Sequence, residues 1–166
     1  MPPRAKTLAL AAIVWWMLAA LVGAAAAGPG RGIIFLVRHA ERAPGAMSED
    51  APLTDAGKTR AGRLADVLAK ADVKTIFVTR FRRTQDTAQP LADLLHLTPT
   101  VESDTAQLVA KLKTHLDETV LVVGHSDTVP DVIKAFGGPA VTIGDDEFDA
   151  LFVLVPATGA LARLTY

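Results

Sequence analysis

The sequence contains no cysteine. That excludes disulfide staples, thiolate metal sites, a cysteine nucleophile and an anchor carried on a lipid-modified cysteine. Aromatic residues are scarce, at 5% of the chain, with a single tyrosine. An excess of one charge sign is missing too, since 17 Lys and Arg stand against 18 Asp and Glu. A net charge of −1 excludes a nucleic-acid binder that works by bulk attraction. Past residue 28 there is no internal repeat and no low-complexity tract. A length of 166 residues suits one domain, with or without a short appendage.

What is present is unevenly spread. Residues 1–27 hold both tryptophans, 21 apolar residues and no acid. Arg4 and Lys6 precede an uncharged run from Leu8 to Val22, which ends in Ala24-Ala25-Ala26-Ala27-Gly28. This is the layout of a secretory signal peptide with an Ala-x-Ala cleavage site near Ala27. Left uncleaved, Thr7 to Ala27 is just long enough to anchor the chain in a bilayer. In both cases the domain over residues 28–166 is expected outside the cytoplasm, periplasmic or secreted. It meets a membrane only if the leading segment stays attached. Gly28-Pro29-Gly30 reads as a flexible joint.

The remainder alternates strands with helices. Ile33-Ile34-Phe35-Leu36-Val37 and Thr119-Val120-Leu121-Val122-Val123 are continuous β-branched and apolar runs, the pattern of strands buried on both faces. Thr75 to Val78 is a third strand and Thr98 to Val101 a shorter candidate. Thr54 caps a helix with Ala61, Leu64, Ala65 and Leu68 on one face. Thr84 to Leu95 is a second helix, with Pro90 as a kink or a late start. Asp104 caps a third, running to about His115. Asp127 or Thr128 opens a fourth, with Pro130 in its first turn. Leu151 to Val155 and Ala160 to Leu164 are two late strands around a turn, while residues 43–53 form a loop.

That order implies a mostly parallel sheet with helices on both faces. Ligands of such folds bind beyond the carboxyl ends of the strands. The residues there are Arg38-His39-Ala40-Glu41-Arg42, Thr79-Arg80-Phe81-Arg82-Arg83 and Gly124-His125-Ser126-Asp127. Two histidines and several arginines thus converge on one rim of a slightly acidic domain. Arginine forks match phosphate oxygens in pairs, and clustered arginines repel one another unless an anion sits among them. Helix N-termini at the same rim add free N–H groups. A histidine there is pushed toward the neutral form, which is a competent nucleophile toward phosphorus. The rim reads as a phosphoryl-transfer site that needs no metal and no cofactor, acting on a small phosphorylated substrate and not on nucleic acid.

Four blocks in order carry a family resemblance. Leu36-Val37-Arg38-His39-Ala40-Glu41 is similar to the Arg-His-Gly motif of the histidine phosphatase superfamily, the phosphoglycerate mutase-like group. Pro52-Leu53-Thr54-Asp55-Ala56-Gly57 resembles its PLT-x-x-G helix start. Arg83-Thr84-Gln85-Asp86-Thr87-Ala88 resembles its R-[AT]-x-x-T-A block, and Val122-Val123-Gly124-His125-Ser126 its second-histidine block. The resemblance implies a three-layer α/β/α sandwich. It also implies His39 as the phosphorylated nucleophile, with Arg38, Arg83 and His125 completing the phosphate pocket. Ala40 departs from the usual glycine. Arg42 departs from the mutase branch, and Arg38 to Pro44 is instead similar to the R-H-G-x-R-x-P of the acid phosphatase branch, where the later arginine touches phosphate.

The general acid stays open. Asp127 is the first candidate because acid phosphatases place an aspartate beside the second histidine, with Glu41 and Glu102 behind it. For Asp127 the plainer role is a helix cap. His96 and His115 read as structural, near helix C-termini. Arg80 and Arg82 read as a solvated basic edge, and Asp145-Asp146-Glu147 as a solvated turn lacking calcium-ligand spacing. Three functions compete: an exported phosphomonoesterase, a phosphohistidine phosphatase acting on a protein partner, and a module that binds phosphate or polyanions without turnover.

Overall fold

The structure is a computed structural model, and it describes residues 31–43 and 51–166. The leading segment over residues 1–27, and with it the signal-peptide reading, lies outside the described residues. So does most of the 43–53 loop. No helix among the described residues is long and apolar enough to cross a membrane.

Six strands and four helices follow in chain order. The strands are β1 (Ile33–Arg38), β2 (Val73–Val78), β3 (Thr100–Val101), β4 (Thr119–Gly124), β5 (Ala150–Val155) and β6 (Ala160–Thr165). The helices are α1 (Asp55–Leu68), α2 (Arg82–Leu95), α3 (Thr105–Leu112) and α4 (Thr128–Ala135). One sheet runs in the order β3-β2-β4-β1-β5-β6. Its first four positions are parallel. β5 and β6 add an antiparallel hairpin at one side.

The β-branched runs form the two central strands because both of their faces are covered. On one face Leu36, Val120, Val122 and Phe152 pack with Leu108 and Leu112 of α3 and with Val129, Val132 and Ile133 of α4. On the other, Val37, Ile76, Leu121 and Val123 pack with Leu64 and Leu68 of α1 and with Ala88, Leu91 and Ala92 of α2. The three-layer α/β/α sandwich is therefore present as the sequence implied. α2 begins at Arg82, two residues before the expected Thr84, and runs unbroken through Pro90. A proline in a helix interior costs about 3 kcal/mol. Burial of Ala88, Leu91 and Ala92 against α1 and the sheet offsets it. α3 stops at Leu112, short of the expected His115.

Strand register sets the site. Arg38 pairs with Gly124, and Val78 with Val123. The residues that follow, Thr79, His125 and His39, therefore stand side by side at the carboxyl ends of β2, β4 and β1. A hydrogen bond from the His39 backbone N–H to the Gly124 carbonyl, 3.0 Å, continues the ladder one step past the strands.

The PLT-x-x-G block braces this row. Thr54 caps α1 by accepting the Gly57 N–H at 3.1 Å. Its own N–H donates to the Glu41 carbonyl at 2.9 Å. A Cβ on Gly57 would lie 2.2 Å from that same carbonyl oxygen, so only glycine lets the helix start this close to the chain leaving β1.

Candidate active site

His39 is buried, at 4% exposure. Its Nδ1 lies 2.8 Å from the Ala40 carbonyl oxygen. A carbonyl only accepts, so Nδ1 carries the proton and Nε2 keeps its lone pair. Ala40 is fully buried against Leu53 and Ala61. Its N–H donates to the Thr87 hydroxyl at 2.9 Å. Alanine serves where the family uses glycine because the backbone here has no positive φ. Thr87 belongs to the R-[AT]-x-x-T-A block, and its contact with the Ala40 amide explains why that block accompanies the histidine.

His125 faces His39 edge-on, with ring centroids 5.4 Å apart. Its Nε2 lies 3.0 Å from the Thr79 hydroxyl, and the Phe81 ring packs edge-on at 5.1 Å. Burial pushes His39 down to about 3, with His125, Arg83 and Arg38 adding to the shift and the Ala40 hydrogen bond opposing it. His125 is pushed down to about 4, by burial first, then by Arg83 and Arg38, against Asp127. Both imidazoles are neutral near neutral pH, as nucleophilic attack by His39 requires.

Arg38 and Arg83 act on both histidines, and Arg42 acts on those two arginines. Burial lowers the proton affinity of both Arg38 and Arg83; at Arg38 Asp145 opposes it and Arg42 adds to it, and at Arg83 Arg42 and then Arg38 add to it. Among the described residues the Nε atoms of Arg38 and Arg83 are buried without a hydrogen-bond partner. Buried donors are normally satisfied. Two guanidinium groups beside two neutral histidines are the donor set that an anion with several oxygens calls for. Arg83 is held by stacking on Phe81, 4.2 Å from the ring centroid.

Arg38 is held differently. Its Nη1 donates to the carbonyls of Gly144 and Asp145, both at 2.7 Å, and its guanidinium stacks on Phe148 at 4.4 Å. The Asp145-Asp146-Glu147 turn, read from sequence as merely solvated, is thus the wall that positions Arg38. Glu147 also pairs with Arg163 of β6. Sequence separations of 106 and 107 residues put this contact beyond any local signal. Thr79, Phe81 and Phe148 were likewise not singled out, although Thr79 and Phe81 lie in the rim segment after β2.

Each of the three candidate carboxylates is engaged by another group. Glu41 accepts from Arg60 Nε at 3.0 Å to both oxygens, and Arg60 holds its carboxyl below the ordinary range. Lys111 does the same for Glu102. Asp127 is exposed and caps α4 by accepting the Thr128 N–H at 2.6 Å. Burial raises its carboxyl, but the Thr128 hydrogen bonds outweigh that and leave it below the usual range. Asp127 is thus a cap that raises the proton affinity of His125. His96 closes α2 in the left-handed region at φ 55°, and His115 pairs with Glu118 at 3.0 Å. Neither lies at the rim.

The depressed histidines predict a stability profile. Their unfolded value is 6.5, and the folded values are about 3 and about 4. Between those limits the unfolded chain binds more protons, so stability is lost as pH falls from about 6.5 toward 4. Each histidine contributes a slope of about 1.4 kcal/mol per pH unit in that window. Denaturant titrations should show the fall, and His39→Gln should flatten it. An unchanged slope in the variant would contradict the buried neutral ring.

A mostly parallel α/β sheet whose central strand ends carry two neutral histidines among arginines has the layout that phosphoryl transfer calls for. Residues 34–107 match the model of the histidine phosphatase superfamily, branch 1. The match lies in branch 1, so the acid-phosphatase likeness rests on the 38–44 segment alone. The fold is similar to the protein histidine phosphatase SixA complexed with tungstate: 22% identity, 80% of this chain and 96% of that one covered, TM-score 0.63. It is similar to SixA from Agrobacterium tumefaciens: 21% identity, 82% and 99% covered, TM-score 0.64. A mycobacterial glucosyl-3-phosphoglycerate phosphatase, solved with inorganic phosphate, aligns at 17% identity over 81% and 95%, TM-score 0.59. No curated protein matches the chain.

Proposed function

We propose that this chain is an exported, metal-independent phosphatase that works through a phosphohistidine on His39. The observation that carries the reading is the free Nε2 of His39, fixed by the Nδ1–Ala40 hydrogen bond, beside two arginine Nε atoms that are buried and, among the described residues, unpartnered. In the first step Nε2 attacks phosphorus, the P–N bond forms and the bond to the leaving oxygen breaks. Arg38, Arg42 and Arg83 neutralise charge on the equatorial oxygens. The bound dianion raises the proton affinity of His125, which then shares a proton with the departing oxygen. In the second step water attacks phosphorus and passes a proton to His125, the P–N bond breaks with its electron pair returning to His39 Nε2, and inorganic phosphate leaves. Asp127 supports His125 electrostatically, since its own carboxyl is committed to the α4 cap.

A second reading, removal of phosphate from a protein histidine, is favoured by one observation. The fold is similar to two SixA phosphatases over nearly their full length. A substrate panel tests both. The purified protein in EDTA should turn over 4-nitrophenyl phosphate and release inorganic phosphate. A kcat/KM at least roughly 10²-fold higher on a phosphohistidine protein would replace the phosphomonoester reading with the second one. Phosphate binding without turnover on any member would leave only a binding module. For export, the mature chain recovered from outside the cytoplasm should begin near Gly28. An intact Met1 on a cytoplasmic protein would remove that part of the proposal.

A further inference from the structure

The partner of His125 is itself held in place more tightly than a rim residue needs to be. Thr79 is buried at 4% exposure, and its hydroxyl lies 3.0 Å from His125 Nε2 and 3.0 Å from the Thr84 hydroxyl. Thr84 is fully buried. Its single hydroxyl proton has two carbonyls in reach, those of Phe81 at 2.8 Å and Thr79 at 3.1 Å. Carbonyls only accept, so the Thr84 proton goes to them. The Thr84 oxygen is left as an acceptor and takes the Thr79 N–H at 3.1 Å. The Thr79 hydroxyl proton then has two destinations, His125 Nε2 or Thr84 Oγ1.

We propose that Thr79 is a positioning residue for the phosphoryl-transfer site. Its hydroxyl holds His125 by Nε2, so that Nδ1 is the nitrogen presented to the phosphoryl group. This rests on the reading of His39 and His125 as the phosphoryl-transfer pair. With His125 neutral, Thr79 donates to Nε2, and the ring proton resides on Nδ1, where it can donate to a phosphoryl oxygen. When His125 gains a second proton, Nε2–H donates to Thr79, and the Thr79 hydroxyl turns to Thr84 Oγ1. The two hydroxyls thus follow both protonation states of His125 by moving protons alone. The heavy atoms stay still, so little is spent on reorganisation.

The test compares Thr79→Val, which keeps the shape and loses the hydroxyl, with Thr79→Ser, which keeps the hydroxyl. Thr79→Val should lower kcat on 4-nitrophenyl phosphate roughly 10- to 100-fold, with KM within roughly threefold. Thr79→Ser should restore kcat to within roughly threefold of the parent. Nitrogen-15 spectra of the histidines, recorded on the parent protein with inorganic phosphate, should show His125 as the Nδ1–H tautomer. Thr79→Val should shift it toward Nε2–H. An Nε2–H tautomer in the parent would overturn the proposal even if Thr79→Val does not fold. A folded Thr79→Val with parental kcat and an unchanged His125 spectrum would overturn it as well. The spectra do not depend on turnover. An inactive parent with the Nδ1–H tautomer would therefore count against the phosphatase reading and leave the positioning role standing.

Discussion

Replacing His39 with alanine should reduce turnover at least roughly 10³-fold and abolish the phosphoenzyme. The expectation follows from the division of labour in the pocket. The arginines and His125 supply charge and position, and both survive the substitution, so inorganic phosphate should still bind. What disappears is the atom that forms the P–N bond. The Thr79 hydroxyl does not replace it, because it is engaged with His125 and Thr84. A phosphohistidine is stable in alkali and labile in acid. Rapid quench into base with a labelled aryl phosphate should therefore trap about one label per active site in the parent and none in His39→Ala. A label that persists in His39→Ala would move the nucleophile elsewhere. Parental turnover in the variant would remove covalent catalysis altogether.

Much of this architecture was legible in the residues. Ile33 to Val37 and Thr119 to Val123 could only be strands covered on both faces, and the histidines that follow them had to share a rim. The capping Thr54, the close-approach Gly57 and the Arg83 to Ala88 block were visible as motifs. Their physical purposes appear only in three dimensions, where Thr87 meets the Ala40 amide and Gly57 meets the Glu41 carbonyl. Two things had no local signature. Period-2 alternation marks a strand but carries no direction, so the antiparallel placement of β5 beside β1, with β6 outside it, could not be read. The anchoring of Arg38 by the 144–148 turn joins chain ends more than a hundred residues apart. An acidic turn looks the same in sequence whether its carbonyls face water or a guanidinium. The start of α2 at Arg82 was missed for a related reason. Phe81 at its N-cap makes no side-chain cap hydrogen bond, so the usual start signal is absent.

The contrast between Arg38 and Arg83 leads to the second large effect. Arg38 has part of its donor set bound to the Gly144 and Asp145 carbonyls. Among the described residues the Arg83 guanidinium makes no hydrogen bond to the protein, and stacking on Phe81 holds its plane. Stacking fixes a fork without consuming donors, so Arg83 offers the phosphoryl group more hydrogen bonds than Arg38 does. Loss of one such preorganised donor group costs roughly 10²- to 10³-fold in kcat. Arg83→Ala should fall in that range, and Arg83→Lys should recover only a small part, because an ammonium can neither stack flat on Phe81 nor reach two oxygens at once. Arg38→Lys should cost less in kcat and should also free the 144–148 turn, which hydrogen exchange would register as faster opening at those amides. Steady-state kinetics on the three variants with one aryl phosphate decides the matter. If Arg83→Lys retains near-parental kcat, the pocket needs charge alone and the fork geometry is irrelevant. If Arg38→Lys is the worse variant, the turn-anchored arginine, and not the stacked one, carries the transition state.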